Sequence, residues 1–205
     1  MALNISRFVA QLNHFIRKYQ LQALREVLIF SVITIGFHYL FRAFAATIMS
    51  TWPVPAISGF TVDLLFKNSL WFNVNVLGMD ITTVDTTLFF SDCGYIHINH
   101  SCSAVKQFLQ WLVLMALYPG PWKHKLWFIP VGIVVLHFTN IFRIVGLSVV
   151  LLQWPDYWDW SHDWVFRPFF YVVIFAMWVF WAERFSKRSL KKQKTVAGNT
   201  LPQGE

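Results

Sequence analysis

Residues 126–147 read LWFIPVGIVVLHFTNIFRIVGL, a run of 22 in which Arg143 is the one charged side chain. A helix rises about 1.5 Å per residue, so this run reaches about 33 Å and crosses a hydrocarbon core about 30 Å thick. Windows of similar length and character occur at about 27–49, 102–119 and 164–182. Charged residues make up only 13% of the 205-residue chain and hydrophobic residues 56%, whereas a soluble domain carries about 25% charged. The expected fold is an all-α polytopic membrane protein of about four transmembrane helices. Two cysteines and no 20–50-residue period exclude disulfide scaffolds, repeat arrays and coiled coils.

Seventeen Lys+Arg against ten Asp+Glu leave a net charge of +7, and position matters more than sign. Arg7, Arg17, Lys18 and Arg25 precede the first window, Lys123 and Lys125 sit between the second and third, and Arg184, Lys187, Arg188, Lys191, Lys192 and Lys194 follow the fourth. Between Ser50 and Ser101 the only basic residue is Lys67, and Asp156, Asp159 and Asp163 crowd the last gap. Basic residues concentrate in short cytoplasmic flanks. The reading is therefore a cytoplasmic segment 1–26, a membrane domain 27–186 and a cytoplasmic tail 187–205 that meets anionic headgroups rather than nucleic acid, in the inner (cytoplasmic) membrane. The first window is too long, and its leading segment 1–26 too full of Arg and polar residues, for a cleaved signal peptide, and no processing is expected.

The outer segment has structure of its own. Trp52-Pro53-Val54-Pro55 stops the first helix, and 60–76 mixes apolar residues with Asp63, Lys67, Asn68 and Asn73 at nearly helical spacing. That suits an interfacial helix or a fifth, re-entrant element. Residues 82–90 and 94–99 flank Ser91-Asp92-Cys93-Gly94 with partial alternation, a β-hairpin that leads into Cys102.

Polar groups inside spans are costly and point to function. Arg143 lies 17 residues beyond Leu126, about 26 Å up the core and near its outer edge; Asn140 and His137 share its face. Against a merely snorkelling arginine stands the poor fit of an Asn–Arg stripe to lipid. Cys102 opens the second window on the same outer side, with Ser101 or Ser103 as cap, where the helix dipole favours thiolate. Lys106 and Gln110 extend its face, and Lys106 adds charge near the sulfur. Cys102 also reads as a structural thiol, or as half of a disulfide with Cys93. His162 opens the fourth window beside Asp163 and suits proton transfer, or decorates a Trp-rich loop. Topology taken from Lys and Arg alone brings Cys102, Arg143 and His162 to one membrane face. Thiol nucleophile, imidazole base and cationic oxyanion group make an acyl-transfer set.

Cys102-Ser103-Ala104 at the start of a span, Asn140-Ile141-Phe142-Arg143 late in the next and His162 at the opening of another resemble the exosortase/archaeosortase superfamily of membrane sorting enzymes, over roughly residues 77–181. The resemblance implies Cys102 as nucleophile, Arg143 as oxyanion or substrate-orienting group and His162 as acid/base. It implies substrates that are exported proteins with a C-terminal signal of short motif, transmembrane helix and basic cluster, cleaved at the outer face and passed to water, a glycan or a lipid. Ala104 stands where the family commonly has Gly, which bears on how closely substrate backbone approaches the thiol. Asn140, Lys106, Ser103, Arg167 and Arg42 are secondary candidates for binding or orientation: Arg42 as an outer anchor or second cation, Arg167 as partner of Asp163 or of headgroups.

Two rival readings carry different expectations. Cys93, His97, His100 and Cys102 offer zinc-type ligands within ten residues, although the spacing fits no closed finger. A non-catalytic scaffold or lipid-binding subunit would use the aromatic content of 19% as interfacial belts. No glycine-rich phosphate loop is present, and no cofactor is expected.

Overall fold

The computed structural model describes residues 22–91 and 94–186; the basic ends at 1–21 and 187–205, and Cys93, lie outside the described residues. Five helices and a small sheet make up the described fold: α1 (Gln22–Ser50), α2 (Val54–Asn75), β1 (Ile81–Val84), β2 (Thr87–Phe90), β3 (Gly94–His97), α3 (Val105–Leu117), α4 (Trp122–Gln153) and α5 (Pro155–Phe185). Three of them are long and apolar enough to cross a membrane: Leu24–Ser50 within α1, α4 and α5. Their outer faces carry exposed Val32, Leu40, Val134, Phe138, Val172 and Phe180, as a lipid-facing surface requires.

The window at 102–119 folds differently from the expectation. Its helix starts three residues late, at Val105, and has 13 residues, about 20 Å and short of a bilayer core. The delay has a local cause: Ala104 takes a left-handed conformation (φ 58°) after a 3₁₀ turn at His100–Cys102. Beyond Leu117 the chain runs extended through Tyr118 and turns at Gly120.

Side-chain pairings fix α3 antiparallel to α4. Asn140 donates to the Cys102 carbonyl (2.6 Å), Trp111 Nε1 to the Ile129 carbonyl (3.2 Å) and Lys125 Nζ to the Tyr118 carbonyl (2.7 Å). Lys125, buried, thereby satisfies carbonyls that the end of α3 leaves open. The fully buried Trp111 indole fills the notch at Gly132, where a Cβ would overlap it. α1 also lies antiparallel to α3, through Glu26 with the Tyr118 hydroxyl at one end and His38 with Lys106 at the other. The core between α3, α4 and α5 is aromatic, with Trp111, Phe128, Phe170, Trp178 and Trp181 buried together.

α2 reverses the expected interfacial pattern. Its buried face is small and polar (Ser58, Thr61, Ser69, Asn73, with Val62 and Leu65), while Ile57, Phe60, Trp71 and Phe72 point outward. Small residues let helices approach closely, and α2 packs along α4 with Asn73 Nδ2 on Ser148 Oγ (3.0 Å) and Asn68 Nδ2 on His137 Nε2 (3.2 Å).

The hairpin is a three-stranded antiparallel meander, β1-β2-β3. Residues 82–90, read as one strand, contain a two-residue turn at Asp85-Thr86, since Val84 pairs with Thr87. Asp85 adopts φ 51° there, a conformation Asp tolerates. Leu88, Phe90, Ile96 and Ile98 pack on Ile141, Ile144 and Leu147, so the sheet caps the C-terminal part of α4. That helix continues ten residues past Arg143 to Gln153, which sets Arg143 deeper than the tip of its helix and roofs it with the sheet.

α5 opens irregularly. A 3₁₀ turn at Pro155–Tyr157 and a helical turn at Trp158–Trp160 lead into a π turn at Ser161–Phe166 and regular helix from Arg167. Pro168 has no N–H and its ring would crowd the Trp164 carbonyl in a regular helix; the widened turn just before it relieves that conflict.

Gly132→Ala should lower the thermal midpoint in detergent, corresponding to about 1–3 kcal/mol of overpacking against Trp111. Gly36→Ala, where an added Cβ meets nothing within 4 Å, should leave the midpoint unchanged or raise it.

Candidate functional site

Cys102, Arg143 and His162 line one cavity of about 320 Å³, walled by Tyr95 and His97 of β3, Leu147 of α4 and Trp158 at the head of α5. Each arrives from a different segment. The 3₁₀ turn carrying Cys102 is held on every side: the Asn99 side chain accepts from the Ser101 amide (3.0 Å), the Ser103 hydroxyl donates to the His100 carbonyl (2.7 Å), and Ser58 of α2 meets His100 Nδ1 (2.8 Å). Asn140 fixes the Cys102 carbonyl itself. The thiol is free and half-buried.

Arg143 is 8% exposed. Its Nη2 lies 2.9 Å from His162 Nε2, and a guanidinium only donates, so Nε2 is the acceptor and the ring proton sits on Nδ1. Nδ1 in turn donates to Asp163 Oδ1 at 2.8 Å, and Asp163 is held by Arg167 Nη1 at 3.0 Å. The imidazole stacks on Trp158, with centroids 5.3 Å apart and planes within 7°. The result is a polar chain, Arg143–His162–Asp163–Arg167, that fixes tautomer and ring orientation together. Arg143 Nε is buried without a hydrogen-bond partner, as is Asn140 Oδ1. Arg143 and Cys102 face the same cavity. Such an arrangement offers a nucleophile, an oriented base and a donor that can follow developing negative charge.

The secondary candidates divide. Asn140 positions the thiol-bearing turn, and Arg167 acts through Asp163 rather than through headgroups alone. Ser103 is buried in turn-closing bonds, with Oγ reached by the Val105 amide at 3.4 Å, and is not available to a substrate. Lys106 turns away from the sulfur to His38 Nδ1 (3.4 Å) and the Phe41 ring (5.5 Å) on α1, because its long side chain reaches the neighbouring helix. Arg42 is exposed and outside the cavity. Cys102 lies ahead of α3 rather than in its first turn, since Ala104 occupies the cap position.

Of the zinc-type set, His97 and Cys102 line the same cavity, but no third described member joins them. His97 meets Thr87 Oγ1 (2.9 Å) while His100 turns to Ser58, and among the described residues no group of three metal-ligating side chains forms; Cys93 lies outside them. Sequence reasoning assigned Trp158 and Tyr95 no part in the site, and named His97 only in the zinc-type set. Trp158 and His162 are four residues apart, a helical stacking distance, and that spacing was the available signal. No family model, curated protein or solved structure matches the chain.

Ala104 holds a left-handed backbone while nearly fully buried. Glycine would relieve about 1 kcal/mol of that strain and forfeit a similar amount of methyl burial. Ala104→Gly should therefore keep the thermal midpoint, whereas β-branched Ala104→Val should lower it by an amount equivalent to about 2 kcal/mol; equal behaviour of the two would refute this backbone assignment.

Proposed function

We propose that the chain is a membrane-embedded cysteine peptidase or transpeptidase of exosortase type, cleaving C-terminal sorting signals of exported proteins at the outer membrane face. The observation that carries this reading is the convergence of Cys102, Arg143 and His162 on one cavity. The basic residues at Arg25, Lys123, Lys125 and Arg184 favour cytoplasmic termini and an outward-facing site. A fourth crossing is part of the proposal: α3 keeps register with α4 from Cys102 down to Lys125, and the extended stretch from Tyr118 adds about 3.3 Å per residue to its 20 Å helix.

In this mechanism the Cys102 thiol gives its proton to His162 Nε2 and the sulfur attacks the scissile carbonyl carbon. Nε2 first releases Arg143 Nη2, whose donors move to the developing oxyanion. Asp163 stabilises the imidazolium that forms. The C–N bond then breaks, the leaving amine takes the proton from His162, and a thioester remains on Cys102. Water, or a hydroxyl or amine of an acceptor, attacks that thioester with His162 again accepting the proton, and the thiol is regenerated.

With a co-expressed precursor carrying a transmembrane sorting signal, Cys102→Ala should leave the precursor uncut while the chain stays inserted. Asp163→Asn removes the carboxylate that fixes the tautomer and should lower the processing rate about 100-fold or more, without changing the amount of protein in the membrane. Processing that survives both Cys102→Ala and Arg143→Ala would replace this reading with the scaffold one.

A further inference from the structure

A group of basic side chains lies close to the thiol-bearing turn, and of its members only Arg167 touches the chain of polar groups described above. Its members come from three helices. Glu26 and His38 of α1 meet Tyr118 and Lys106 of α3, so twelve residues forward on one helix match twelve back on the other. The next turn of α1 carries Arg42 past His38 toward the end of α3 that follows the Cys102 turn. Phe30 of α1 packs on Phe175 of α5, and eight residues along each antiparallel helix bring His38 level with Arg167. Lys106 and Arg167 are close enough to repel one another, and His38 faces both Lys106 and Arg42.

Like charges gathered in this way oppose folding unless something balances them. Among the described residues the ion pairs include one carboxylate near this group, Asp163, already engaged by His162 and Arg167. Among the described residues, neither Lys106 nor Arg42 has a carboxylate within ion-pair distance. The cluster is reachable: the Arg167 side chain is 61% exposed and Arg42 is exposed. Apolar residues frame it, with Tyr39 67% and Leu40 58% exposed on the same helix as Arg42. An occupant must therefore bring negative charge and an apolar body together.

We propose that Arg42, His38, Lys106 and Arg167 bind the phosphate of a membrane lipid headgroup. Three helices supply the donors, and a phosphate offers more acceptor oxygens to share among them than a carboxylate does. The framing apolar side chains fit acyl chains, and basic residues at a membrane surface attract anionic lipid. The site sits beside the thiol and is separate from the cavity that holds it. It does not rest on the peptidase reading, because lipid binding is measured without turnover.

The test is native mass spectrometry of the full chain in detergent, titrated with dioleoyl phosphatidylglycerol, dioleoylglycerol, oleate and inorganic phosphate. Phosphatidylglycerol should bind the wild type at least about tenfold more tightly than dioleoylglycerol or oleate, and Arg42→Gln/Lys106→Gln should weaken it about tenfold. Arg25→Gln/Lys123→Gln, at the other end of the helices, should retain it. If the first pair loses its thermal transition, Arg42→Gln alone, on an exposed position, carries the test with about threefold weakening expected. Undiminished binding by the folded variant overturns the proposal. So does oleate binding as tightly as the phospholipid, which makes the site a carboxylate site, or inorganic phosphate competing at equal concentration, which makes it a site for a soluble anion.

Discussion

A guanidinium buried among apolar helices is tolerated only when other polar groups meet it, and Arg143 imposes that demand on its surroundings. His162 meets it with the one nitrogen that can accept, which leaves the ring proton for Asp163 and brings Arg167 to hold Asp163. The head of α5 must then come close to the C-terminal part of α4, and the widened turn at Ser161–Phe166 before Pro168 brings it there. The sheet packed over Ile144 and Leu147 keeps lipid from the same place. The cavity is what remains between these parts, and Cys102 forms its fourth side.

The helix registers give this arrangement its depth. α3 is too short to cross a bilayer by itself, yet its hydrogen bonds to α4 run from Asn140 at one end to Lys125 at the other. Trp111 locks the middle by occupying the space at Gly132. The Cys102 turn is thus fixed from both flanks, by Asn140 of α4 and by Ser58 of α2 through His100. A thiol on a turn so tied has little freedom left to lose, the condition under which positioning would contribute to rate in the proposed reaction.

Much of this was legible in the chain. Long apolar windows mark the three long helices, and the spacing of Lys and Arg alone points Cys102, Arg143 and His162 to the same end, where they line one cavity. The misses have physical reasons. Asp85-Thr86 makes a tight turn without glycine, so β1 and β2 read as one strand. The left-handed Ala104 shortens α3, and an alanine gives no sign of it. Helical spacing put Lys106 on the face of Cys102, but its side chain is long enough to reach α1 instead. The inward polar stripe of α2 depends on which helix it packs against, and its own periodicity carries little of that.

The most direct measurement is capture of the acyl-enzyme: quench membranes containing the chain and a cleavable precursor in acid, digest, and identify modified peptides by mass spectrometry. The mechanism predicts the upstream fragment of the precursor joined to Cys102 through a bond that hydroxylamine cleaves. Processing that runs to completion with Cys102 unmodified throughout, or with the fragment on another side chain, would contradict it.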